Sequence, residues 1–80
     1  MPQIQRTNVP RRLLEHLLDR IRLREVPAED LAALAAWLDT KPEVPTGNWF
    51  KRFSSMTVCG QGALVTTFLA AHQTPIGKEM

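Results

Sequence analysis

A second cysteine is missing, so Cys59 of this 80-residue chain cannot close an internal disulfide. The first 25 residues hold six arginines and no apolar run long enough for a secretory core. Together with the lone thiol this predicts a reducing compartment, the cytoplasm. Metal-ligand clusters are missing too. His16 lies 43 residues before Cys59 and His72 lies 13 after it, which does not make the paired ligands of a structural zinc site.

Phosphate-binding loops are also absent. Gly60-Gln61-Gly62 lacks the third glycine and following helix of a dinucleotide fingerprint, and Gly77-Lys78 lacks the upstream glycine and the hydroxyl that holds magnesium. No metal or small-molecule cofactor is therefore expected. Charge is missing over one long stretch, from Ser54 to Gly77. That run is no membrane span, because Gly60, Gln61, Gly62, Thr66, Thr67, His72, Gln73 and Pro75 interrupt it, whereas a spanning helix needs about 20 predominantly apolar residues.

What is present is ordinary for a folded domain, with 44% hydrophobic and 22% charged residues. A chain this short buries only about 60% of its unfolded surface. Self-association is one way for it to bury more. The net charge of +2 is unevenly spread: residues 1–25 carry +3, residues 26–48 carry −3 and residues 49–80 carry +2. Basic ends around an acidic middle suit contact between copies about as well as they suit a polyanion.

A short repeat organises the N-terminal half. Val9-Pro10 and Val26-Pro27 stand 17 residues apart. After each, apolar residues recur at matching offsets: Leu14, Leu17, Leu18 and Ile21 against Leu31, Leu34, Ala35 and Leu38. That spacing is one face of an α-helix. The repeat predicts helix 1 over about 10–25 and helix 2 over about 27–40, each with its proline in the first turn. Glu29 and Asp30 add favourable charge to the start of helix 2. Trp37 lies beside the leucine stripe and is expected to cap the edge of the core.

Pro42, Pro45 and Gly47 break the helical pattern and make residues 41–48 a connector. Beyond it, β-branched and aromatic residues predict a β-hairpin over about 50–69, turning at Gly60-Gln61-Gly62. Ser55–Gly60 is expected to pair with Ala63–Leu69. Adjacent Val65, Thr66 and Thr67 favour strand over helix for residues 63–71. Residues 70–80 read as a tail. The expected fold is α+β: a two-helix antiparallel hairpin packed on a C-terminal β-hairpin in a single small domain over residues 1–80, completed by a dimer. Neither strand carries Lys, Pro or an inward charge to blunt an exposed edge, so the edge is expected to be covered by a second chain.

Residues Trp49, Phe50, Lys51, Arg52 and Phe53 interleave aromatic and basic side chains. The bland reading makes the aromatics packing anchors and leaves Lys51 and Arg52 solvated. The functional reading makes the segment, with the hairpin edge, the interaction surface of a small non-enzymatic protein-interaction or regulatory module whose partner is a protein or a second copy. The alternative is a nucleic-acid-binding protein, with Arg11, Arg12, Lys51 and Arg52 on phosphates and Trp49 or Phe50 as a stacking platform. Glu15 and Asp19 share the outer face of helix 1 and dilute any phosphate-binding stripe there. Cys59 with His16 or His72 forms no recognisable catalytic signature, and a small hydrophobic packing role is expected for it.

Overall fold

The computed structural model describes residues 2–80. Helix α1 spans Arg11–Arg22 and helix α2 spans Ala28–Asp39. Both start one residue later than the repeat predicts. Pro10 and Pro27 stand just before the first helical residue and not in the first turn, with extended ψ of 139° and 148°. The carbonyl of Pro10 accepts the first ladder bond, from the Leu14 N–H. A proline at this point leaves no buried N–H unpaired.

Helix α1 stops three residues earlier than its periodicity predicts because its end is closed by a backbone cap. Arg24 takes a left-handed φ of 62°. Its N–H donates to the carbonyl of Ile21, and the Glu25 N–H donates to that of Arg20. This paired closure usually recruits glycine. Helix α2 ends at Lys41, which also takes a left-handed φ, 50°, and donates its N–H to the Leu38 carbonyl. Pro42 has no N–H for the second bond of the pair and prevents the helix from continuing.

Strands β1 (Asn48–Arg52), β2 (Met56–Gln61), β3 (Leu64–Ala70) and β4 (Lys78–Glu79) form one mixed sheet in the order β3-β2-β1-β4. The α+β architecture is as expected, but the sheet has four strands where the pattern predicts two. The run from Phe50 to Cys59 is split by a turn at Ser54-Ser55, held from outside by Asp30 of α2. That carboxylate is buried and accepts hydrogen bonds from the Ser54 hydroxyl and, at 2.9 Å, from the Ser55 N–H. The second turn is Gly62-Ala63, with Gly62 at φ 57°.

The tail is not a tail. Residues 71–77 cross the sheet diagonally from β3 to the far side of β1, bury Pro75 on the way and deliver β4 parallel to β1. The crossing covers three strand spacings, about 14 Å, well within the reach of an extended segment of that length. At Gly77, φ 104°, a Cβ would collide with the backbone of Asn48, so the entry into β4 requires glycine.

The helices cover one face of the sheet. Leu17, Leu34 and Leu38 join Trp49, Met56, Val58, Val65 and Phe68 in one core cluster. The N-terminal segment completes it: Ile4 and Val44 are fully buried, and the Ile4 N–H donates to the Pro42 carbonyl while the Val44 N–H donates to that of Pro2. Neither contact follows from the sequence pattern.

Candidate functional site

The aromatic and basic segment is built into the core. Within β1, Trp49 has no exposed surface and Phe50 is buried. The Trp49 ring lies 5.7 Å from that of Trp37, and Phe53 meets Trp37 at 6.5 Å, edge to face. The Trp49 Nε1–H donates to the Gly62 carbonyl at 2.8 Å. Phe50, on the opposite face of the strand, lies beneath the Arg52 guanidinium at 5.3 Å. The expectation that Trp49 and Phe50 present a stacking or interaction surface is therefore corrected. A strand buried on both faces hides successive residues, not alternate ones.

Lys51 is half-buried and Arg52 is exposed. The latter lies 3.7 Å from Glu79, so the β4 strand partly neutralises the cation it adjoins. Arg11 and Arg12 are exposed on α1. Arg11 is paired with Glu15 at 3.2 Å in a bridge open to solvent. Both belong to α1, whereas Lys51 and Arg52 belong to β1.

Each sheet edge carries local features of the chain's own. Cys59 stands opposite Thr67 and Gly60 opposite Val65, which leaves Thr66 as a bulge residue on the outer strand. Its hydroxyl donates to the Cys59 carbonyl at 3.3 Å. The Ala70 N–H donates to the Gln73 side chain at 2.7 Å. A bulge and a side-chain cap are two of the devices that blunt an edge, and at the other edge β4 is short and charged.

Two concavities among the described residues bear on function. The smaller, about 190 Å³, lies beneath the crossover and is lined by Cys59, Thr67, Leu69, Thr74 and Pro75 among others. Burial raises the Cys59 thiol above its ordinary pKa, so the neutral thiol persists through the physiological range. Among the described residues, neither His16 nor His72 lines this hollow, and no three His, Cys, Asp or Glu side chains gather as metal ligands.

The larger concavity is an apolar groove of about 470 Å³ between the helices. Helix α1 contributes Leu14 and Leu18; α2 contributes Ala28, Leu31, Ala32 and Ala35. Val9 and Arg6 close one end. There Arg6 forms a two-pronged bridge to Asp39, Nε to Oδ1 at 2.7 Å and Nη2 to Oδ2 at 2.6 Å. That carboxylate raises the Arg6 pKa further.

The groove exists because α1 carries more leucine than the core takes up. Leu17 is fully buried, and Leu13 and Ile21 pack against the core beside it. Leu14 and Leu18 stay 37% and 40% exposed. They form the adjoining row, about 100° around the helix. Opposite them α2 presents Ala28, Ala32 and Ala35, with half-buried Leu31 beside them and buried Leu34 and Leu38 at the floor. The periodicity of α1 places Leu14 and Leu18 on the core face with Leu17; the sign of a different use lies in α2, whose alanines are too small to cover them.

No protein-family model matches this chain, no curated protein matches it significantly, and no solved structure does so either.

Proposed function

We propose that this chain is a non-enzymatic protein-interaction module whose working surface is the apolar groove between α1 and α2. One observation carries the reading. Two leucines and a row of alanines lie open to solvent side by side, and contiguous exposed apolar surface on a small domain marks an interaction site. The groove offers little polar chemistry: its one charged lining residue, Arg6, is already engaged by Asp39. A substrate to be transformed would need acids, bases or donors that this surface does not provide.

The working surface thus moves from the Trp49–Phe53 segment to the helices, and the unpaired thiol supports a cytoplasmic setting for the module. No helix is long and apolar enough to cross a membrane among the described residues. The test is a photo-crosslinking side chain at position 32, where Ala32 is exposed, with a second at Gln61, exposed at the end of β2. Protein adducts in the source cell from position 32 and not from position 61 are expected. Adducts from neither, or equally from both, would remove the groove as the working surface. Adducts to nucleic acid that disappear with moderate salt would favour polyanion binding instead.

A further inference from the structure

We infer that the occupant of this groove is the same groove on a second copy of the chain, in a two-fold contact that lays α1 of each protomer along α2 of the other. The inference rests on the reading of the groove as an interaction surface and names what fills it.

Size complementarity comes first. The α1 wall of the groove projects Leu14 and Leu18, whereas the exposed residues of the α2 wall are Ala28 and Ala32, above half-buried Leu31 and a floor of buried Leu34 and Leu38. A surface with large residues along one wall and small ones along the other cannot fill itself. It can fill a copy turned through 180°, because an isologous contact sets each wall against the opposite wall of its partner. Alanine along α2 also lets a second helix approach its backbone closely.

Charge complementarity comes second. On a helical wheel Arg11 and Arg22 flank the Leu14–Leu18 row of α1 on its solvent side, whereas the exposed charges of α2 are Glu29 and Asp39. Asp39 already bridges Arg6 of its own chain, so the pairing of Arg22 with Glu29 carries more of the charge complementarity than that of Arg11 with Asp39. Asp30 points inward to the Ser54-Ser55 turn and takes no part. The local partners of the two arginines, Glu15 at 3.2 Å and Asp19 at 3.5 Å, are solvent-exposed. Such pairs hold weakly and exchange readily.

Size and charge select the same symmetry axis. With the axis parallel to the helices, α1 lies antiparallel on α2 across the interface: Arg22 faces the partner's Glu29, Arg11 faces the partner's Asp39, and leucine faces alanine. With the axis in the interface plane but across the helices, α1 meets α1. Leucine then meets leucine, Arg11 meets the partner's Arg22, and Glu29 meets the partner's Asp39. Like charges placed opposite one another oppose that arrangement.

Sedimentation equilibrium at micromolar concentration tests the inference. The wild-type chain is expected to approach twice its 9.0 kDa mass. Arg22→Glu alone, or Glu29→Arg alone, is expected to weaken the dimer about tenfold by turning two symmetric attractions into repulsions. The two together restore opposite charges across the axis and should regain most of the loss. Ala32→Arg, at an exposed position that folding does not need, should abolish the dimer while leaving the melting midpoint of the dilute monomer in place. A strict monomer, a dimer that Ala32→Arg leaves intact, or a double swap no tighter than the single swaps would overturn the inference. A monomer whose position 32 still cross-links to a different protein would overturn the second copy alone and leave the groove as the working surface.

Discussion

The sheet and the helix layer of this molecule use their apolar residues differently. In the sheet most large side chains are taken up by packing, with Leu64 on the outer strand left 51% exposed. Trp49 lies against Gly60, bonds the Gly62 carbonyl and meets Trp37, with no surface left over. In the helix layer the successive residues Leu17 and Leu18 divide, the first wholly buried and the second 40% exposed. The contrast separates apolar surface that folding has consumed from apolar surface that folding has spared. In a chain of marginal size, spared surface costs solubility. Leu23, Leu64 and Ile76 are exposed outside the groove, but Leu14 and Leu18 lie side by side in it against α2, and that contiguity is what makes the groove worth testing.

The largest effect is expected where the sheet is tightest. A Cβ at Gly60 would run into the six-membered ring of Trp49 and the carbonyl of Leu64. Neither can yield, because the ring is enclosed and the carbonyl belongs to the neighbouring strand. Overpacking costs about 1–3 kcal/mol where neighbours can shift and more where they cannot, so here it should exceed that range and approach the whole stability of a small domain, about 5–15 kcal/mol. Gly60→Val is expected to abolish the cooperative urea transition. Gly47→Ala, where nothing lies within 4 Å of the new Cβ, is expected to change stability by less than about 0.5 kcal/mol. A folded Gly60→Val protein would mean that the Trp49 pocket is looser than the comparison requires.

Next comes the divide within α1. Leu17→Ala should cost about 2–5 kcal/mol, as buried leucine truncations do. Leu18→Ala, one residue on, should cost less than about 1 kcal/mol because much of its side chain already meets water. Urea denaturation at a concentration where the chain is monomeric separates the two. Equal losses would mean that Leu18 belongs to the core, and the groove would cease to be spare surface.

This divide also marks how far the pattern of residues could be read. The two helices, their proline starts, and the pairing of the strands on either side of Gly62 are local matters of periodicity, capping and β-branching. They are legible because each depends on residues within a turn or a hairpin of one another. The split of the Phe50–Cys59 run depends on Asp30, more than twenty residues away. The strand β4 depends on a crossover that buries its own Pro75 against the sheet. The segments that carry Ile4 and Val44 pair with Gln3 opposite Glu43, across half the chain. No spacing rule reaches those distances. The candidate site was half legible: the repeat identified Leu14 and Leu18 as apolar positions on one helix face. Which row of that face meets the sheet is decided by packing, and alanine in α2 was the only local hint.

Asp30 links the two regions and is expected to rank third. Its carboxylate fixes the β1–β2 turn from the first turn of α2 and is nearly wholly buried. Asp30→Ala leaves the Ser55 N–H without its acceptor. A buried donor deprived of its partner costs about 1–3 kcal/mol. Asp30→Asn keeps one side-chain oxygen as acceptor and should recover part of the loss, and the difference between the two variants measures the carboxylate's share. Hydrogen exchange at Ser55 gives a local reading of the same change: its amide should lose protection in the alanine variant while the amides of β2 and β3 keep theirs. Uniform loss of protection would mean that Asp30 supports the whole core and not this turn.

The smallest effect tests whether the far face of the sheet is closed to solvent chemistry as the near face is. Cys59 is half-buried beneath the crossover, and burial raises its thiol above the ordinary 9.0. The folded chain therefore holds this proton longer than the unfolded chain does. The sign follows from linkage: below about pH 9 both states are protonated and stability is untouched, whereas at higher pH the unfolded chain releases its proton first and stability declines. The thiolate is the reactive form. Alkylation by iodoacetamide should accordingly be slower in the native protein than in denaturant at every pH up to about 9, with its pH midpoint displaced upward in the native state. A native rate at neutral pH above the denatured one would reveal an activated thiolate, and the hollow beneath the crossover, not the helix groove, would become the place to look for chemistry.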